Sequence, residues 1–319
     1  MSEAIRVYVL HENQEWYKPL QEALAAEGIP NTEWNLAAGQ FILNQAPPLG
    51  VFYSKMSASS YSRGHLHAKH FMAATLEWLS AHGRRVINGK RALELEVSKV
   101  AQHISLQAHG LRTPNTVVVH GKKAAIAASK KFGSAGFIIK PNQGGKGQGV
   151  QHFSDSEAFE SFLSVVTMDD LTVDGLLLIQ AYIPPKSQRI IRMEFIEGKF
   201  YYAVQVDTGG GFELCPADAC EIDPTRPDRA LPSFQILEDF WIPEIEKCEA
   251  FLQANQIEIA GMEFLESEEG DRYFYDVNTN TNYNTKAEQD CPSSYEGLQQ
   301  VARFLKKEWE IVQGVNAVV

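Results

Sequence analysis

The segment F-I-I-K-P-N-Q-G-G-K-G-Q-G-V, residues 137–150, limits the fold more than any other stretch of the chain. Gly144, Gly145, Gly147 and Gly149 surround Lys146, and Lys140 sits on the apolar run that leads in. Glycine takes up positive φ without steric cost and lets backbone N–H groups come close to an anion. A Walker A loop would read G-x-x-x-x-G-K-S/T and open a helix, and a dinucleotide fingerprint would also lead into a helix. Here an apolar strand follows instead. The segment is therefore predicted as strand, glycine loop, strand: a flap that folds down over phosphates. The alternative is a hairpin tip with no ligand. Protein kinases use the same device, but the chain contains neither H-R-D nor D-F-G.

A second informative stretch is A-G-M-E-F-L-E-S-E-E-G-D-R-Y-F-Y-D-V-N, residues 260–278. It is predicted as two strands with their turn at Glu269 and Gly270, which sets Glu263 opposite Asp276. Side chains alternate faces, so Asp276 and Asn278 share a face with Glu263, with Gly261 and Phe274 as small or apolar neighbours. Two carboxylates and an amide oxygen suit Mg²⁺, which takes few protein ligands beside phosphate and water. The alternative is the exposed polar face usual in antiparallel sheets. The run goes on as N-T-N-T-N-Y-N, and Asn280, Asn282 and Asn284 are expected to line a substrate pocket.

The remaining pattern sets these two stretches in a larger frame. Strands are predicted at 5–10, 49–53 and 85–87, with helices at 13–27 and 66–81 between them, giving a small α/β lobe with a parallel sheet. A helix over 93–109, one over 122–131, the flap, a helix over 155–166 capped by Ser154 and Glu157, and strands 176–183, 190–196 and 199–206 form an α+β lobe. A long Gly-, Asp- and Pro-rich loop at 207–232, a helix over 234–255, the acidic hairpin and a helix over 296–313 complete the chain. The expected divisions are 1–95, 96–206 and 207–319.

These features together resemble the ATP-grasp superfamily, and most of all its RimK-type carboxylate–amine ligases. The matching phrases are E-V-S-K (96–99), the glycine flap, L-L-L-I-Q-A-Y-I (176–183), R-I-I-R (189–192) and G-M-E-F … Y-D-V-N, within residues 95–285. The resemblance implies an ATP-grasp fold: an α/β lobe before two α+β lobes that clamp ATP. It implies an enzyme that activates a carboxylate as an acyl phosphate and joins it to an amine, forming an amide or peptide bond with ADP and phosphate. A phosphotransferase or a non-catalytic ATP-binding regulator is the alternative. Lys99 and Lys140 would contact ATP, with Gly144, Gly145 and Gly147 over its phosphates. The hinge Gln180, Ala181, Tyr182 and Ile183 would hold adenine through its backbone. Arg192 and Lys146 would be catalytic. Glu263, Asp276 and Asn278 would hold two Mg²⁺, for which Mn²⁺ could substitute. The chain departs from the RimK-type pattern on the substrate side. Asp276 stands in place of the usual glutamate, N-T-N-T-N-Y-N replaces a Pro-Gly turn, and Q-V-D-T-G-G-G replaces an arginine pair.

Three further features bear on substrate and setting. The polar segment 54–70 follows a first-lobe strand, where α/β sheets bind ligands, so Ser57, Arg63 and His65 are candidates for a substrate carboxylate. His67 and His70 are expected at a helix start. L-C-P-A-D-A-C (214–220) offers either Asp218 to the substrate or a turn built on Pro216. A formal charge of −11 argues against nonspecific nucleic-acid binding. No signal peptide and no long apolar span is evident, and the four cysteines form no C-x-x-C pair. A cytoplasmic protein with reduced thiols is expected, with a homodimer allowed.

Overall fold

The computed structural model describes residues 4–133, 135–187, 189–207 and 233–316. Asp218, Cys215 and Cys220 lie outside the described residues. Cys248 and Cys291 are buried free thiols.

The first lobe runs β1 (Arg6–His11), α1 (Gln14–Ala26), β2 (Asn31–Asn35), β3 (Gly50–Lys55), α2 (Ala68–Ala81) and β4 (Arg85–Ile87). Its strands form a parallel sheet in the order β2-β1-β3-β4. Strand β2, N-T-E-W-N, is an edge strand with no apolar alternation, and no strand is predicted there. The single helix expected over 93–109 is two, α3 (Lys90–Glu96) and α4 (Lys99–Ala108). Ser98 between them is extended and its side chain accepts from the Ala101 amide, so a cap breaks what periodicity alone joins.

The second sheet contains β5 (Thr116–His120), β6 (Phe137–Pro141), β7 (Gln151–Phe153) and β8 (Leu176–Ala181), antiparallel in the order β5-β8-β6-β7. Helices α5 (Lys122–Ser129), α6 (Ser156–Val165) and α7 (Met168–Leu171) accompany it. The cap of α6 is Asp155, which accepts from the Ala158 amide, not Ser154. The third sheet holds β9 (Arg189–Ile196), β10 (Lys199–Asp207), β11 (Ser233–Leu237), β12 (Ile259–Glu266) and β13 (Arg272–Asn278), in the order β11-β10-β9-β12-β13. Helices α8 (Glu244–Ala254), α9 (Thr285–Asp290) and α10 (Gly297–Asn316) follow the same stretch of chain. The expected helix over 234–255 is thus a strand followed by a shorter helix. Strands β9 and β10 pair with β12 and β11 rather than joining the second sheet, so a division at 206/207 would cut through a sheet. The chain changes sheets at Pro184 and Pro185 instead.

First and third lobes are fused. Val9, Tyr17 and Tyr53 share one core with Tyr202, Val301 and Leu305. Arg85 bridges Glu258 at 2.7 Å and Glu308 at 2.6 Å. Asn88 donates to the carbonyls of Ile259 and Thr279 and accepts from the amides of Glu258 and Ile259. The second sheet has its own core around Phe137, Phe159 and Ile179. The architecture is two lobes joined through one core, with the second sheet built on a core of its own.

Candidate active site

The three bodies meet at a cleft of about 530 Å³, lined by parts of the flap, of β8 and β9, and of the acidic hairpin. That volume is in the range usual for a small-molecule site. Register in the hairpin is as predicted: Glu263 pairs with Asp276 and Gly261 with Asn278. The predicted place of Phe274 is not. The register then slips, and Phe264 pairs with Phe274, so Tyr275 is a bulge residue. The bulge turns Phe274 into the core and brings Tyr275 to the cleft beside Asp276.

Arg192 on β9 is buried and held from three sides. Its Nε donates to Glu194 at 2.5 Å, Nη1 to Glu263 at 2.7 Å and Nη2 to Thr281 at 2.6 Å. Thr281 in turn donates to Glu194 at 2.8 Å. Burial disfavours its charge, but Glu194 and Glu263 hold its pKa above the ordinary value. Gly261 lies beneath it: a Cβ there would sit 2.6 Å from the Arg192 Cζ, inside contact distance. Gly261→Ala is therefore expected to displace the guanidinium, and, if Arg192 serves the ATP-dependent reaction that the sequence resemblance implies, to cut ATP turnover about a hundredfold, the scale for one misplaced group. Steady-state kinetics on the folded variant would check this, and turnover within threefold of wild type would contradict it.

Lys99, at the start of α4, pairs with Asp276. Burial opposes the Lys99 charge, but Asp276 beside it holds its pKa up. Burial would likewise raise the Asp276 pKa, yet Lys99 and Lys140 hold it below the ordinary range. Glu263 moves the other way. Burial raises it, Arg192 opposes, and the Asp276 charge adds to the rise. Lys140 donates to the Tyr275 carbonyl at 3.3 Å and sits 5.2 Å from the Tyr275 ring centroid. Burial, then the Lys99 charge, pushes its pKa down to about 8. If Lys140 binds phosphate, Lys140→Ala should weaken ADP binding by about ten- to a hundredfold, the range for a charged hydrogen bond. Wild-type affinity should fall as pH rises through about 8, where Lys140 loses its proton, and the variant should lack that step. Calorimetry across pH reads both, and equal Kd values for the two proteins would remove Lys140 from the site.

The chain suits a hard cation. Glu263 and Asp276 present carboxylates on one face, and Asn278 lies with them, its Nδ2 donating to Glu263 at 3.4 Å. Among the described residues no group of three or more His, Cys, Asp or Glu side chains is placed to hold a metal. A cation here would take two carboxylates, an amide oxygen and ligand oxygens, a set that Mg²⁺ accepts and most transition metals do not favour.

The flap reaches the first lobe. A Cβ on Gly145 would lie 3.5 Å from Ser59, and one on Gly144 3.6 Å from the Tyr61 hydroxyl. Gly147 takes positive φ, as does Lys146, whose Nζ lies 4.9 Å from the Trp16 ring centroid. Lys146 lines the cleft, but its contact is with Trp16 rather than with the carboxylates. In the hinge, the Ala181 amide donates to Asn115 at 2.8 Å and the Tyr182 amide to Gly136 at 3.4 Å. The Gln180 side chain donates to Thr116 at 2.9 Å, and the residue itself lines the cleft. Ala181, Tyr182 and Ile183 all line the cleft.

The substrate candidates divide. Ser57, Asn280 and Asn282 line the cleft. Arg63 and His65 do not. Arg63 forms two bonds to Glu12, at 2.5 and 3.2 Å, and His65 meets the same carboxylate at 2.9 Å. Glu12 is fully buried and 51 residues away in sequence from Arg63, so spacing gives no hint of the pairing. His67 stands just before α2, without a capping side-chain bond, and His70 lies within the helix, a helix start as expected. Asn284 does not line the cleft: it caps α9, accepting from the Ala287 amide. Glu96, within E-V-S-K, has no role assigned from the sequence. It is buried, accepting from the amides of Ala58, Thr279 and Asn280 and from the Thr279 hydroxyl. Burial raises its pKa against those bonds. Glu194, Thr281, Ser59 and Trp16 were missed too. The period-two T-N-T-N alternation was the available signal for Thr281: threonines anchor while asparagines face the cleft.

No protein-family model matches the chain. It is 30% identical over 143 residues to a tetrahydromethanopterin:alpha-L-glutamate ligase from Methanosarcina acetivorans. That match covers 43% of this chain and 43% of the relative, less than half the length of each. Several solved structures match nearly end to end, two of which serve as examples. One is a RimK domain ATP-grasp protein from Sphaerobacter thermophilus, at 17% identity and TM-score 0.63, covering 94% of this chain and 98% of that one. The other is the ATP-grasp ligase PsnB, complexed with a phosphomimetic variant of its minimal precursor, Mg and ADP. Identity there is 15% and TM-score 0.68, with 95% and 98% of the chains covered. At such identities the likeness speaks for the fold, and it agrees with the lobes and sheets just described. The chain has the ATP-grasp fold.

Proposed function

We propose that the chain is an ATP-dependent carboxylate–amine ligase working through an acyl phosphate. The observation that carries this reading is the convergence of Lys99, Lys140, Arg192, Glu263 and Asp276 on one cleft roofed by a glycine flap. A carboxylate oxygen of the acid attacks the γ-phosphorus, the bond to ADP breaks, and an acyl phosphate forms. The amine nitrogen then attacks the acyl carbon, phosphate leaves with the bonding electrons, and the nitrogen loses a proton.

The side chains have matching tasks. Lys99 and Lys140 bind phosphate oxygens. The hinge offers backbone to adenine, with the Ala181 and Tyr182 amides already spent on Asn115 and Gly136. Arg192 faces the charge that builds on the transferring phosphoryl group and on the tetrahedral intermediate. Glu263, Asp276 and Asn278 would hold Mg²⁺, which neutralises phosphate charge. The flap excludes water, which would otherwise consume the acyl phosphate. One relative is named an alpha-L-glutamate ligase and PsnB is described in complex with a precursor peptide, and both a small molecule and a peptide are compatible with this cleft. No helix among the described residues is long and apolar enough to cross a membrane. A cytoplasmic setting and a homodimer belong to the proposal.

The test is phosphate release from Mg-ATP with acids and amines supplied singly and in pairs. Release that needs one acid and one amine together supports a ligase. ADP formation with a phosphorylated product and no free phosphate would favour a phosphotransferase, and binding without turnover a regulator.

A further inference from the structure

We propose that the amine substrate binds a subsite of neutral groups around Asn280 and carries no carboxylate beside its nitrogen. This rests on the ligase reading and specifies its second substrate. Three observations lead to it.

The first is how the asparagine run is held. Thr279 and Thr281 point into the protein, to Glu96 and to Arg192 and Glu194. Lys55 fixes the Thr281 carbonyl at 3.1 Å. Asn280 and Asn282 are left to face the cleft. Asn280 is 8% exposed, and its Oδ1 meets no hydrogen-bond donor among the described residues. A buried amide oxygen without a partner is costly, so this atom calls for a donor. The reacting carboxylate and the phosphates carry acceptors only, whereas the reacting amine carries N–H.

The second is what stands beside it. Glu96 accepts from the Ala58 amide with one oxygen and from the Thr279 and Asn280 amides with the other. That single buried carboxylate draws the first-lobe serines against the asparagine run. Ser57 and Ser59 lie 2.9 Å apart, oxygen to oxygen, both buried, and Gly145 of the flap packs on Ser59. The subsite walls are two hydroxyls, two amides and a flap glycine, and the guanidinium that donates to the Ser59 hydroxyl at 3.2 Å, Arg63, is itself paired with Glu12.

The third is charge. Every cation on the described cleft wall is engaged. Lys99 pairs with Asp276 and Arg192 with Glu194 and Glu263, Lys140 lies on Tyr275, and Lys146 lies on Trp16. The phosphates and the acid would draw on the first three. An amino acid entering amine-first would bury its own carboxylate beside that of Glu96, facing only cations already engaged: Lys55 on the Thr281 carbonyl, Lys99 with Asp276 and Arg63 with Glu12, which is unfavourable.

The experiment compares glycinamide with glycine, two amines that differ in that one group. The acids are the twenty L-amino acids and D-alanine, each with Mg-ATP. Hydroxylamine in excess first identifies which acids are activated, as hydroxamates. With such an acid, amide formation is followed by mass spectrometry in wild type and Asn280→Ala, with AMP-PNP binding confirming that the variant is folded. Glycinamide should be used at least about tenfold more efficiently than glycine, and Asn280→Ala should raise its KM about tenfold, far more than that of ATP, as expected for one lost buried hydrogen bond. Glycine used as well as glycinamide would overturn the proposal, and an unchanged glycinamide KM in the variant would remove Asn280 from it. If wild type binds AMP-PNP but forms no hydroxamate with any of these acids, the ligase reading loses its amino-acid form and this assignment is overturned with it.

Discussion

Arg192→Ala is expected to lower turnover by about a thousandfold or more, the scale seen when a cation facing a transferring phosphoryl group is removed. It should also cost stability. Glu194 and Glu263 are both nearly fully buried, and the substitution leaves them facing each other without the guanidinium between them. Removing one member of a buried charge network costs about 3–5 kcal/mol. Arg192→Lys separates the two effects. It keeps the charge but cannot reach Glu194, Glu263 and Thr281 together, so much of the stability should return while most of the turnover stays lost. Urea denaturation with kinetics on both variants gives the answer. Wild-type turnover in a folded Arg192→Lys protein would show that the three-way grip has no catalytic purpose.

Asp276→Asn is expected to abolish Mg-dependent ATP turnover, a loss of about a thousandfold from several kcal/mol of missing charge stabilisation. The amide keeps the side-chain volume and an acceptor for Lys99, so the fold should survive. The pairing also has a pH signature. The Asp276 pKa is held below its unfolded value by Lys99 and Lys140, against burial. Its contribution to stability is present at neutral pH and is lost as pH falls through the acid range, and the variant should lack that loss. A magnesium titration of turnover tests the metal role. An unchanged magnesium dependence in Asp276→Asn would remove this residue from the metal set.

Much of the site can be read from the sequence because its physics is local. The strand–loop–strand character of 137–150 follows from glycine spacing between two apolar runs. The pairing of Glu263 with Asp276 follows from counting back from a tight turn at Gly270. Both inferences need only the period of a strand and the conformational freedom of glycine. The bulge at Tyr275 was beyond them, because a one-residue slip follows from how Phe264 and Phe274 pack in the core. The errors in secondary structure have similar causes. Periodicity carried one helix through Ser98, although the cap there starts a new one. The run S-F-Q-I-L at 233–237 fits the period of a helix as well as that of a strand, and only its pairing with β10 decides. The fate of Arg63 and His65 depended on Glu12, a contact between distant parts of the chain. Asn284 looks like its neighbours in the asparagine run, but it stands where a helix begins and caps it.

The central claim is that a carboxylate of the substrate takes up the γ-phosphoryl group. The most direct test uses an acid labelled with ¹⁸O in its carboxylate, incubated with Mg-ATP, the paired amine and the enzyme. Transfer through an acyl phosphate moves one labelled oxygen into the released inorganic phosphate, because the acyl–oxygen bond is the one that breaks. The account predicts one ¹⁸O per phosphate, in step with amide formation. Unlabelled phosphate released alongside amide would contradict it, because the phosphoryl group would then never have been joined to the acid.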